Sequence, residues 1–162
     1  MSSAQEDCAR ELLEVVPLVT RSIRKELRQH RTEGLSVPQF RTLLFLRRNP
    51  GTSLVDIANH LGLTPPSTSK MVDGLLGRNL LSRQNCESDR RRIAMKLTEK
   101  GEESLDYAID ATLESLTKKI SSLLPEQVET LSRAMQILRG AFPETEISIE
   151  GKPCSQPTQK SS

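Results

Sequence analysis

Tryptophan is absent, tyrosine occurs once and phenylalanine three times in 162 residues, which counts against a ligand held by stacked aromatic rings. Histidine is as scarce: His30 and His60 are the two, with no HExxH string and no CxxC pair. A metal or cofactor site would have to be assembled from scattered carboxylates and thiols, so none is expected. The three cysteines, Cys8, Cys86 and Cys154, lie far apart. That spacing fits neither a disulfide scaffold nor paired zinc ligands and suits a reducing compartment. Long apolar runs are missing too. The longest, residues 12–19, is broken by Glu14 and Pro17, far short of the ~20 residues that span a bilayer. No basic-then-apolar start resembles a secretion signal, so no membrane association and a cytoplasmic location are expected. The length excludes most large catalytic scaffolds. Ser67-Thr68-Ser69-Lys70 does match the S-x-x-K string of serine β-lactamases, but no S-D-N or K-T-G companion accompanies it. With no phosphate-binding glycine loop and no convincing Ser-His-Asp set, an enzyme is not expected.

What is present is a charge asymmetry. The net charge of +2 conceals a middle, residues 36–101, with 11 Lys/Arg against 5 Asp/Glu, and a segment 102–162 with 6 against 10. Residues 1–35 balance, 6 against 6. A basic middle between neutral and acidic flanks suits a polyanionic partner for the middle and another task for the flanks.

Hydrophobic periodicity divides the chain. Leu12, Val16, Val19, Ile23 and Leu27 line one face of a helix from Gln5 to about residue 29, with Pro17 either kinking it or marking its start. Ser36 and Gln39 form an S-x-x-Q capping signature opening a second helix, with Phe40, Leu43, Leu44 and Leu46 as its stripe. After Asn49-Pro50-Gly51, Ser53-x-x-Asp56 caps a short helix that Gly62 stops. Thr64 followed by Pro65 opens another almost at once, the spacing of a helix-turn-helix. From Leu81 the period becomes two, through Arg83 and Asn85, then Ile93, Met95 and Leu97, which predicts a β-hairpin with an arginine-rich tip. Thr98 caps a long helix carrying Leu105, Ile109, Thr112, Leu116 and Ile120 up to Leu124-Pro125. A last helix carries Val128, Leu131, Met135, Leu138 and Phe142, a coiled-coil-like seam. Residues 143–162 have too little apolar content to pack and are expected to be mobile.

On a helical wheel of residues 64–77, Thr68, Val72, Leu75 and Leu76 face inward. Pro66, Ser67, Lys70, Gly74 and Gly77 face outward. A small, hydroxyl-bearing outer face lets a helix approach the floor of a major groove, with a lysine in reach of a guanine or a phosphate. Arg90-Arg91-Arg92, preceded by Asp89, falls where the hairpin should turn. Three adjacent cations suit a polyanion, and an extended arginine suits a narrow minor groove.

The stretch 35–101 resembles the winged helix of the MarR (multiple antibiotic resistance regulator) family. The resemblance is carried by Leu35-Ser36-Val37-Pro38-Gln39-Phe40, by Ile57-Ala58-Asn59-His60-Leu61-Gly62-Leu63 at the turn, and by Ser67-Thr68-Ser69-Lys70-Met71-Val72-Asp73. Its most specific parts are Asp89-Arg90-Arg91-Arg92, matching a D-x-R wing, and Leu97-Thr98-Glu99-Lys100-Gly101, matching an L-T-x-x-G helix start. Two departures are Asn79, where the family often has glycine, and the doubled Pro65-Pro66. The implied fold is mainly α, a winged helix-turn-helix with a two-stranded wing, flanked by N- and C-terminal dimerisation helices. The implied organisation is an N-terminal dimerisation helix in 1–34, a DNA-binding domain in 35–101, dimerisation helices in 102–142 and a tail in 143–162.

Function and sites follow from the same resemblance. The chain is expected to be a sequence-specific transcriptional regulator, as a repressor, binding double-stranded DNA at a palindromic operator as a homodimer and released by a small-molecule effector. Thr64, Pro66, Ser67, Ser69, Lys70, Arg83, Asp89, Arg90, Arg91 and Arg92 are the expected DNA-binding residues, with Arg91 at the minor groove. Val16, Val19, Phe40, Leu44 and Tyr107 are the candidate effector pocket, although apolar side chains at helical spacing more commonly belong to a core. Two alternatives stand beside this reading. One is a thiol-based redox sensor using Cys8 or Cys86. Glu6 and Asp7 place negative charge beside Cys8, a group that must itself become an anion to react, whereas Cys86 adjoins the basic wing. The other is a winged-helix module that binds proteins without specific DNA binding.

Overall fold

The computed structural model describes residues 3–29, 34–85 and 93–143. Its elements run α1 (Ala4–Gln29), α2 (Val37–Arg48), β1 (Thr52–Ser53), α3 (Leu54–Leu61), α4 (Pro65–Gly77), β2 (Leu81–Asn85), β3 (Ile93–Leu97), α5 (Glu99–Ile120) and α6 (Pro125–Ala141). Helix α1 passes through Pro17 without ending, so the proline does not mark a helix start. The Ser36 cap of α2 is a full capping box: Gln39 N–H donates to Ser36 Oγ (3.3 Å) and Ser36 N–H to Gln39 Oε1 (2.9 Å), which satisfies two backbone donors reciprocally.

The core draws on nearly every element between α2 and the first half of α5. Leu43, Leu46, Ile57, Val72, Leu75, Leu80, Leu81, Met95, Leu97 and Leu105 are buried together, with Leu27 the sole fully buried contribution of α1. Helix α2 sits at the centre, packed on α3, α4, α5, β3 and, more lightly, α1. It therefore buries Thr42, Leu43, Phe45 and Leu46, a wider face than the expected single stripe. Leu44 and Phe40, expected on that stripe, are only partly buried.

The sheet has three strands in the order β1-β3-β2, all antiparallel. The hairpin of β2 and β3 is the expected wing, in the register Leu81↔Leu97 to Asn85↔Ile93. Strand β1, which the sequence pattern did not announce, adds Thr52↔Met95 and Ser53↔Ala94 on the far side of β3. Two residues are too few to display an alternation, and the pairing depends on the turn at Gly51, whose φ is 85° and whose N–H donates to the Met95 carbonyl.

Helix α5 starts within the core and leaves it. Leu105 and Ala108 are buried, while Leu113 and Ile120 are exposed. Helix α6 buries no residue. The expected tail, 143–162, lies outside the described residues from 144 onward. None of the described helices is long and apolar enough to cross a membrane.

Candidate nucleic-acid interface

Two helices and a hairpin assemble the candidate site. Helix α3 opens on Ser53, whose hydroxyl accepts from Asp56 N–H (3.2 Å), and closes on Gly62 in the left-handed conformation (φ 64°, ψ 34°). The Gly62 N–H then bonds back to Asn59 O and the Leu63 N–H to Ala58 O, the helix-ending pattern that a residue without a Cβ adopts at least cost. Three residues, Gly62 to Thr64, separate α3 from α4.

The start of α4 differs from a simple capped helix. Pro65 and Pro66 occupy its first two positions and carry no N–H, so two of the donors that a cap would satisfy do not exist. Thr64 has the extended backbone of a cap residue but makes no side-chain cap bond. Its hydroxyl instead donates to Ser67 Oγ at 3.0 Å, and its carbonyl accepts from both N–H and Oγ1 of Thr68.

Thr68, Val72 and Leu75 are buried, and Pro66, Ser67, Lys70, Asp73, Gly74 and Gly77 are exposed, as are Thr64 and Pro65. Ser69 is half-buried, so of the expected helix residues it is the most sheltered. Neither outer glycine is required by packing. A methyl group at Gly77 would meet nothing within 4 Å, and one at Gly74 would touch the Gln39 side-chain nitrogen at an ordinary 3.9 Å. Glycine costs a helix about 1 kcal/mol relative to alanine, so two on one open face leave that face low without any internal steric reason.

The hairpin is tied to this helix. Arg83 of β2 extends its guanidinium to Asp73 of α4, with Nη2 2.7 Å from Oδ1. Asp73 was not among the sequence candidates; its position three residues after Lys70 on the outer face was the available signal. Asp89, Arg90, Arg91, Arg92 and Cys86 lie outside the described residues, in the seven that join β2 to β3. Cys8 is an exposed free cysteine on α1.

The candidate effector residues are dispersed in burial. Val16, Val19 and Tyr107 are exposed, whereas Phe40 and Leu44 pack partly against the core. Leu44 also lines a cavity of about 70 Å³ with Arg41, Phe45, Arg48 and His60, and the Phe45 and His60 rings stack with centroids 4.0 Å apart. Among the described residues, no group of three or more His, Cys, Asp and Glu side chains is placed to hold a metal ion.

Comparison with known proteins adds independent findings. The MarR family model matches residues 35–93, from the residue before the α2 cap to the first residue of β3. Among solved structures, RV1404 from Mycobacterium tuberculosis superposes with a TM-score of 0.76 at 25% identity, over 87% of this chain and 95% of that one. AbsC, a MarR family transcriptional regulator from Streptomyces coelicolor, gives 0.65 at 28% identity, over 87% and 96%. The transcriptional repressor CouR on a 23-mer DNA duplex gives 0.65 at 25% identity, over 86% and 99%. CouR from Rhodococcus jostii RHA1 bound to p-coumaroyl-CoA gives 0.66 at 25%, over 88% and 97%.

Proposed function

From the match of residues 35–93 to the MarR family model and the likeness to AbsC and CouR, we propose that the chain is a homodimeric repressor of that family that reads a palindromic operator and is released by a small-molecule effector. The observation that carries the proposal is the outer face of α4, where Ser67 and Lys70 stand exposed between small residues. A helix with so low a surface can lie against base edges, its hydroxyls and ammonium within reach of acceptors there. In this reading Thr64, Pro66, Ser67, Ser69 and Lys70 meet the major groove. Arg91 enters the minor groove, and Asp89, Arg90 and Arg92 support it at the wing tip, with Arg83 at the base of the wing. CouR has been captured both on a DNA duplex and with p-coumaroyl-CoA, which supports assigning a DNA and a small-molecule partner to one protein of this shape.

The homodimer is supported by the apolar side chains of α1 and α6 that the single chain leaves uncovered, among them Leu13, Leu18, Met135 and Ile137. Exposed apolar surface on this scale marks an association face. A two-fold dimer would present two copies of α4 to half-sites about one helical turn, ~34 Å, apart. The test is to incubate the purified protein with random-sequence duplexes at moderate salt and sequence the retained fraction. An enriched palindrome with half-sites about one turn apart is expected. A folded, dimeric protein that enriches no sequence would refute operator reading and leave non-specific DNA binding or a protein partner.

A further inference from the structure

We infer that Asp73 and Arg83 are a positioning pair that docks the reading helix and the wing on DNA as one unit and thereby sets sequence discrimination. The inference rests on the operator-binding reading above. Asp73 is the sole acid of α4, and it stands exposed on the same face as Lys70. A lone carboxylate on a surface offered to a polyanion opposes docking unless it is neutralised.

Arg83 supplies the neutralisation at 2.7 Å. The two side chains are 54% and 57% exposed, and pairs so accessible to water contribute little to folding stability. The purpose of this one lies at the surface it occupies. A guanidinium is a planar fork of five N–H donors, so a carboxylate bound at Nη2 narrows the directions open to the others. The backbone of Arg83 is fixed as well, because β2 is paired along its whole length to β3 and Met95 opposite Arg83 is buried. The consequence is a tie between α4 and the hairpin and an arginine whose remaining donors would be offered to a backbone phosphate when DNA binds. Base contacts by α4 and groove contacts by the wing are then held in a common register, and loss of the pair would loosen register more than it loosens attraction.

The experiment measures affinity for the selected operator and for a scrambled duplex across a salt series, together with thermal unfolding, for the intact protein, Asp73→Asn, Arg83→Lys and Arg83→Gln. Asp73→Asn is expected to lower the operator-to-scrambled affinity ratio at least tenfold, with scrambled binding unchanged or tighter and the melting temperature unmoved. Arg83→Lys, which keeps the charge and loses the fork, is expected to lower the ratio likewise. Arg83→Gln should also reduce the slope of log affinity against log salt by about 0.9, the value of one phosphate. The inference is overturned if Asp73→Asn and Arg83→Lys keep the original ratio, or if the ratio falls only alongside a lost melting temperature. An intact protein that shows no operator preference sinks the operator reading itself, and this inference with it.

Discussion

A methyl group placed on Gly101 would collide with the carbonyl oxygen of Leu80, at the point where the chain leaving α4 passes under the start of α5. The close approach is held from both sides: Thr98 N–H donates to Leu80 O, Thr98 Oγ1 donates to Asn79 O at 2.6 Å, and Gly101 N–H donates to Thr98 Oγ1 at 3.0 Å. Neither partner can retreat, because Leu80 is fully buried and Gly101 lies in the first turn of a helix. Gly101→Ala is therefore expected to lower stability by about 3 kcal/mol, at the upper end of overpacking costs, read as a shift in the urea midpoint at unchanged m-value. Asn79, one residue before Leu80, has φ of 59°, a left-handed conformation that a β-branched side chain resists by roughly 1–2 kcal/mol. Asn79→Val should be destabilising by about that amount and Asn79→Gly should not. A Val variant as stable as the original would show that the turn does not depend on this conformation. Asn79 departs from the glycine common in the MarR family that this stretch resembles, and it adopts the glycine-like conformation, which is the physical content of that departure.

At the scale of elements, what could be read in advance divides by how each element is buried. Helices α3, α4 and the first half of α5 bury one face and show the other to water, and helix limits carried explicit signals: Ser53, Gly62, Thr64, Thr98 and Pro125 stand at the ends the sequence implied. Helix α2 is surrounded, so its burial spreads over Thr42, Leu43, Phe45 and Leu46 and its stripe was only half legible. Strand β1 was not legible at all, since its pairing is made by residues more than forty positions away. Within the candidate interface, Ser67 and Lys70 were legible from the wheel of α4. Asp73 was passed over because an acid on the outer face of α4 is informative only once its cation, Arg83 on another element, is known to reach it. For α4 the outward placement of Lys70 gives a direct expectation. A lysine acting on phosphate contributes to operator and scrambled DNA alike, so Lys70→Ala should weaken both and flatten the salt dependence. If it reads a guanine instead, the loss will fall on the operator alone, by about 1–3 kcal/mol.

The whole molecule is divided between a segment that closes its own core and helices that do not. Among the described residues, every member of the buried hydrophobic cluster except Leu27 lies between Leu35 and Ala108, whereas α6 buries nothing and leaves Met135 50% exposed, with Phe142 just after it 68% exposed. The proposed homodimer would cover these faces, and it makes stability depend on protein concentration, because association contributes to folding by mass action. Each tenfold dilution should remove about 1.4 kcal/mol from a two-state dimer and lower the melting temperature accordingly. Replacing Leu131 and Met135 together by glutamate places two charges in the α6 face without touching the core. Sedimentation should then report the 18.1 kDa chain in place of twice that mass, while the far-ultraviolet signal of the winged segment persists. Operator affinity should fall much further than affinity for a single half-site, since a monomer loses the gain of binding two linked sites at once. A double variant that keeps the dimer mass would place the interface elsewhere and remove the reason for expecting paired half-sites. A monomer that still binds the full operator with undiminished affinity would show that one copy of α4 suffices.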